Sequence, residues 1–191
     1  MATELILQHG MAAPAAQVYD TGGVPIDLAS LWMRQPTLFF FLRHAGCALC
    51  RVHLHALRDA YAEFQRRDAA VVAITFADPQ GAAQLKRAQR LPFPTLADPS
   101  RHAYRAYGML EGRLADAIGP DVLLRQLAQA LRGNIPYINP VHATITQLGG
   151  TVIVDQAGVV RFAHVATPIY NYPPVEQYLA IFDELSVAAP A

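Results

Sequence analysis

The 191 residues hold only two cysteines, no excess of either charge, no apolar run long enough to cross a bilayer and no glycine-rich phosphate loop. Each shortage excludes something. Lys+Arg and Asp+Glu both number 15, so the formal net charge is zero and the pI is about 7.1; the electrostatic footprint of a nucleic-acid binder is missing. No stretch approaches the roughly 18 uncharged apolar residues that a spanning helix needs, so a membrane is not an expected partner. Gly22-Gly23 reads as a turn, because no strand leads through a glycine-rich loop into a helix there, and no nucleotide or other cofactor is expected. The first ten residues, MATELILQHG, have no basic flank, an early Glu4 and too short an apolar stretch for a secretory signal, which makes the cytoplasm the expected compartment. One cysteine pair cannot replace a core, and with 53% hydrophobic residues the chain does not need it to.

What is present centres on that pair. Cys47 and Cys50 stand three positions apart, a spacing that two randomly placed cysteines reach roughly 1% of the time in such a chain. One reading is two small apolar residues sharing a helix face. In a reducing compartment the alternatives are a catalytic, redox-sensing or metal-binding pair. A zinc site from Cys47, Cys50, His53 and His55 meets a geometric obstacle, since His53 and His55 point about 200° apart on a helix and cannot share one ion. No metal is expected.

The rest of the chain alternates between strand-like and helix-like patterns. Gln17–Tyr19 and Val24–Ile26 flank an Asp-Thr-Gly-Gly turn as a hairpin, followed by a helical turn around Ser30 to Met33. Thr37 to Leu42 is a continuous apolar, aromatic-rich run, which predicts a central strand buried on both faces. After Arg43-His44-Ala45-Gly46 a helix begins at or just past Cys47, and Cys50, Leu54, Leu57, Tyr61 and Phe64 trace one inward stripe along it. Arg51, Arg58 and Arg66 fall on its polar flank, and Cys47 falls at its exposed start, where free N–H groups favour an anion. Ala69 to Phe76 is a second buried strand, and Asp78-Pro79 caps a helix through about Arg90. A short strand within Leu91 to Asp98 and a helix from Pro99 to Tyr107 follow. Between residues 108 and 147 the rhythm breaks into an insertion whose one strong element, a helix from Pro120 to Leu131, has Leu123, Leu124, Leu127 and Leu131 as its apolar stripe. Gly133 to Pro140 reads as a loop with exposed apolar and aromatic side chains, packed on its own domain, covering a site or joining a partner. A hairpin over Thr151–Val165 and a closing helix from Pro174 complete one domain, 17–186, between an N-terminal extension, 1–16, and a tail, 187–191.

A strand that ends in Cys-x-x-Cys at a helix start, followed by a βα unit and finished by a hairpin and helix, resembles the thioredoxin fold. The segments FFFLRHAGCALCR (39–51), PTLADPSRHAYRAYGM (94–109) and QLGGTVIVDQAGVVRFAHV (147–165) resemble the alkyl hydroperoxide reductase / thiol-specific antioxidant superfamily in its peroxiredoxin-like branch. The resemblance implies an α/β, three-layer αβα sandwich with a mixed central sheet, an N-terminal hairpin and a helical insertion. It also implies that Cys47 is the peroxidatic nucleophile. Phe40 and His44 occupy the positions where that family has a proline and a hydroxyl residue, and the family's arginine would fall near Gly149.

The chemistry then expected is attack by a Cys47 thiolate, activated by the helix start, Arg43 and His44, on a peroxide oxygen or a disulfide sulfur. Cys50, on the buried stripe, resolves the sulfenate or mixed disulfide as an internal disulfide, which an external thiol of thioredoxin or glutathione type reopens. His53 is expected to be packed or at the rim; Tyr107, His142, His164 and Tyr172 are further candidates to line the site. The competing readings are a thiol–disulfide oxidoreductase acting on protein disulfides and a non-enzymatic redox-sensing or interaction module. A homodimer is a further expectation.

Overall fold

A computed structural model describes residues 7–44, 46–113, 119–134 and 146–188. Its frame is a seven-stranded mixed sheet in the order β2-β1-β5-β4-β3-β6-β7. The strands are β1 (Gln17–Tyr19), β2 (Pro25–Asp27), β3 (Thr37–Phe41), β4 (Ala70–Thr75), β5 (Thr95–Ala97), β6 (Gly150–Val154) and β7 (Val160–Val165). The helices are α1 (Ala29–Trp32), α2 (Ala48–Asp59), α3 (Tyr61–Gln65), α4 (Pro79–Gln89), α5 (His102–Ala106), α6 (Pro120–Leu131) and α7 (Val175–Ala188). Strands β3, β4 and β5 run parallel through βα units, whereas β6 lies antiparallel on the other side of β3 and turns back into β7.

The aromatic run works as a two-sided strand because side chains alternate along it. Phe39 and Phe41 pack into the core under α1 and α5, with Val72, Ile74, Trp32 and Tyr104. Leu38, Phe40 and Leu42 point to the opposite core, under α2, α3, α4 and α7, with Leu54, Leu57 and Tyr178. Both layers of the sandwich are therefore keyed to one five-residue strand, and all five of its residues are buried. The end of β3 is fixed by Tyr104, whose hydroxyl lies 2.5 Å from the Leu42 carbonyl and 2.9 Å from that of Ile74. From that anchored end the chain enters the loop that carries the cysteines.

Several expected boundaries move for local reasons. The helix expected to run past Phe64 breaks at Ala60 (φ −91°, ψ 6°), so that Phe64 on α3 is fully buried against Phe182 while Tyr61 packs on Phe93. β5 is confined to Thr95–Ala97, since Pro92 and Pro94 have no N–H to offer a ladder. α5 starts at His102 rather than Pro99, because the Asp98 carboxylate accepts from the N–H groups of His102 and Tyr104 and sets the first turn there. Arg51, expected on a polar flank, is buried. The expected Leu stripe of α6 does not face inward either: Leu123, Leu124, Leu127 and Leu131 are 57–83% exposed, and Val122 is the residue that α6 buries. His142 and most of the loop expected at 133–140 lie outside the described residues.

Candidate active site

Cys47 occupies the N-cap of α2 with extended backbone (φ −71°, ψ 110°), and its Sγ accepts the Cys50 N–H at 3.3 Å. The Cys47 N–H in turn donates to the His44 carbonyl at 3.1 Å, which closes the turn leading into the helix. A sulfur atom at an N-cap is positioned where the unpaired amides and the helix dipole stabilise negative charge. Arg43 approaches from the strand side: it is buried, its Nε donates to the Gln147 carbonyl at 3.0 Å, and its Nη1 lies 3.9 Å from Cys47 Sγ. Gln147 is itself fixed, with Nε2 donating to the carbonyls of Met109 (2.6 Å) and Leu148 (3.0 Å). The guanidinium is thus held from a segment 104 residues further along the chain.

These contacts divide the two thiols. The hydrogen bond from Cys50, joined by the charge of Arg43 and the Cys50 N–H, outweighs burial and holds Cys47 down at about 6 from its ordinary 9.0. Burial, and its bond and proximity to Cys47, push Cys50 well above 9.0. At neutral pH Cys47 is the thiolate and Cys50 the thiol. Alkylation of Cys47 by iodoacetamide should therefore rise with pH, reach half of its plateau near pH 6, and shift its midpoint upward in Arg43→Met; mass mapping of the labelled cysteine across pH checks this, and an unchanged midpoint in Arg43→Met rules out the electrostatic effect of Arg43.

The site is more enclosed than its place at a helix start suggested. Cys47 is 4% exposed and Cys50 0%, because Leu49, Val122 of α6, Leu148 and Ile169 close over the sulfurs. The cover is tied down at its edge, where the Tyr170 hydroxyl donates to the Asp121 carboxylate and Arg125 lies 4.1 Å over the Tyr170 ring. Behind Cys50, the Tyr172 hydroxyl is 3.6 Å from Sγ, and its ring stacks on His53 (4.7 Å, 12°) and meets Phe40 edge-on (5.5 Å).

Of the other expected residues, His44 stands beside the site as a half-buried, neutral ring. Burial and the charges of Arg43 and Arg51 push it down to about 4, so the expected imidazolium does not form near neutral pH and its defined contact is the backbone carbonyl. His53, likewise lowered to about 4 by burial, faces the Tyr178 hydroxyl at 3.3 Å. His55 is 2.7 Å from Gln89 Oε1. Among the described residues no group of three or more His, Cys, Asp or Glu could hold a metal ion. Tyr107 packs on the far face of the sheet and reaches the Pro14 carbonyl, and His164 stacks on Phe162 in β7. Neither reaches the sulfurs. Gln147 and Val122 escaped sequence reasoning, because no local pattern ties them to the cysteines.

Gly149 stands near where the resemblance places the family's arginine. A Cβ at this position would lie 2.4 Å from the Phe41 carbonyl, 3.0 Å from the Arg43 amide and 3.1 Å from the Tyr172 hydroxyl. No side chain fits, and the cation beside the thiolate comes from Arg43 instead.

Comparison with solved structures shows the same fold. Peroxidoxin BcpB from Mycobacterium tuberculosis superposes with a TM-score of 0.67 at 18% identity, covering 94% of this chain and 98% of that one. Peroxiredoxin Q of Xanthomonas campestris does so at 0.67 and 12% identity, covering 96% and 99%. In sequence, the chloroplastic peroxiredoxin Q of Populus jackii is 28% identical over 103 residues, 54% of this chain and 48% of that protein. A Mycobacterium tuberculosis (strain ATCC 25618 / H37Rv) protein, named provisionally as a peroxiredoxin, is 31% identical over 102 residues, 53% of this chain and 64% of that protein. The matched region thus spans about half to two thirds of these curated relatives. The AhpC/TSA family profile matches residues 9–163, and with the thioredoxin-like sheet and a cysteine capping α2, this chain belongs to the AhpC/TSA family as one of its peroxiredoxin-like members.

Proposed function

We propose that the protein is a thiol peroxidase that reduces small hydroperoxides with Cys47 as nucleophile and Cys50 as resolving cysteine. The observation that carries this reading is the polarity of the pair: a Cys47 sulfur held as thiolate by Cys50 and Arg43, with a protonated Cys50 directly behind it. The thiolate attacks the distal peroxide oxygen, the O–O bond breaks, and the departing alkoxide takes a proton to leave as alcohol, with Cys47 as sulfenic acid. Cys50 then attacks the sulfenyl sulfur, expelling the oxygen as water and closing a Cys47–Cys50 disulfide. Two equivalents of an external thiol return the dithiol and leave as their own disulfide. Arg43 is positioned to polarise the peroxide as well as to hold the thiolate.

Relatives of the same fold support the substrate class. The Xanthomonas campestris bacterioferritin comigratory protein is described by its alkyl peroxide reduction activity, and the yeast mitochondrial 1-Cys peroxiredoxin by thiol resolution via glutathione/thioredoxin systems. A thiol of either type in a reducing cytoplasm is the proposed donor. The enclosure of both sulfurs under Val122, Leu148 and Ile169 favours a small peroxide over the disulfide of a folded protein, which needs a reachable sulfur. In this reading, residues 108–147 are an insertion whose helix α6 sets Val122 over the sulfurs, and two copies of the chain assemble as a homodimer.

The test gives the purified protein hydrogen peroxide, an organic hydroperoxide and insulin in turn, with Cys50→Ser alongside. Wild type should turn over the peroxides and accumulate the internal disulfide, whereas Cys50→Ser should hold a dimedone-reactive sulfenate on Cys47. Faster reduction of insulin than of either peroxide overturns the peroxidase reading in favour of disulfide exchange. Oxidation of the pair without turnover of any substrate leaves a redox sensor.

A further inference from the structure

Cys50 has to lose its proton at some point in the cycle, yet it is fully buried and no histidine or carboxylate is among the described groups that bond to it. Among the described residues, the side chain besides Cys47 that bonds to its sulfur is Tyr172, whose hydroxyl stands 3.6 Å from Sγ. That hydroxyl is not there by default. Its ring is clamped between Phe40 and His53, and its oxygen occupies space that any Cβ on residue 149 would contest at 3.1 Å. Burial and the two neighbouring cysteines keep the phenol protonated well beyond its ordinary range, so it faces Cys50 as a donor.

We propose that Tyr172 is a catalytic residue of the resolving step, donating its O–H to the Cys50 sulfur as that sulfur becomes anionic and attacks Cys47. In the resting site the donors run in series, from the Tyr172 hydroxyl to Cys50 and from the Cys50 thiol to the Cys47 thiolate. Once Cys47 is a sulfenic acid it no longer offers an anionic sulfur to the Cys50 proton. The Cys50 S–H bond breaks, its electron pair forms the S–S bond, the Cys47 S–O bond breaks, and the released hydroxide takes the Cys50 proton as water. Tyr172 keeps its own proton throughout and stabilises negative charge on Cys50, whose side chain is fully buried. This role presupposes the Cys47–Cys50 cycle proposed above and adds to it the group that makes its second step fast.

Tyr172→Phe removes the oxygen and leaves the ring against Phe40 and His53. Rapid mixing with hydrogen peroxide should show sulfenate formation within about twofold of wild type and disulfide closure slowed about ten- to a hundredfold, the range of a hydrogen bond to a charged group. Sulfenate should consequently persist and overoxidise at lower peroxide. Incorporation of 3-fluorotyrosine at position 172, a stronger donor of the same shape, should accelerate closure, and it serves as the test if the phenylalanine variant folds poorly. Closure at the wild-type rate in Tyr172→Phe, or equal slowing of both steps, overturns the assignment. If peroxide forms no sulfenate on the wild-type protein, the peroxidase reading falls. The same variant is then read with an azodicarboxamide oxidant, which Cys47 adds to and Cys50 displaces as the hydrazine. Slowed displacement upholds the role of Tyr172 and an unchanged rate ends it.

Discussion

Cys47→Ser is expected to reduce hydroperoxide turnover to the rate of buffer alone while leaving the fold intact. The loss is chemical, because a serine hydroxyl stays protonated where the thiol becomes a thiolate, and the neutral oxygen is a poor nucleophile toward peroxide. Cys50 cannot substitute for it: it lies one turn further in, has no exposure, and is held as a thiol. Serine is also among the preferred N-cap residues, so its hydroxyl takes over the Cys50 N–H and α2 keeps its start to within about 1 kcal/mol. A coupled assay with an excess of thiol donor measures the first part, and a thermal melt beside wild type the second. Residual turnover above background would assign the nucleophile elsewhere.

Gly149→Ala should be destabilised by about 3 kcal/mol, the upper end of what overpacking costs, since the obstacles are main-chain atoms that no rotamer change can clear. The new methyl group would meet the Phe41 carbonyl at 2.4 Å and the Arg43 amide at 3.0 Å. Relief requires the entry to β6 to move away from the end of β3, just where Arg43 reaches across to the Gln147 carbonyl and Cys47. Reactivity of Cys47 should therefore fall with stability. Gly10→Ala provides the contrast: its φ of +86° imposes strain but no atom lies within 4 Å of the new carbon, so a cost of about 1 kcal/mol is expected there. Urea unfolding of the two variants separates them, and equal midpoints would show that the β3–β6 junction has more slack than its geometry implies.

These two positions also mark how far the sequence alone carries. Elements written in local patterns were legible: the aromatic run of β3, the Asp78-Pro79 cap of α4, and Cys47 at the head of α2 all form where their residues predict. Apolar periodicity was less informative about direction. The leucines of α6 repeat as an inward stripe should, yet they face solvent and a single valine meets the sulfurs. Arg51 alternates with apolar neighbours as a surface residue would and is buried instead. The site divides in the same way. Cys47 and Arg43 lie four residues apart and could be named from spacing, whereas Gln147, 104 residues from Arg43, carries no local mark, and Tyr172, 122 residues from Cys50, could be named as a candidate but not placed. His44 carried the right residue type for an acid near neutrality, but burial, reinforced by the charges of Arg43 and Arg51, holds it neutral. Long-range packing and summed local charge are what a linear reading does not contain.

One feature of α2 links its chemistry to its architecture. Its first turn is closed by the sulfur of Cys47, which accepts the Cys50 amide, so the atom that caps the helix is the one that the proposed cycle oxidises and reduces. In the proposed cycle Cys50 supplies both the amide that is capped and the thiol that attacks. The reacting atom is therefore also a piece of secondary structure, and each change in its oxidation state is a change in how the helix begins.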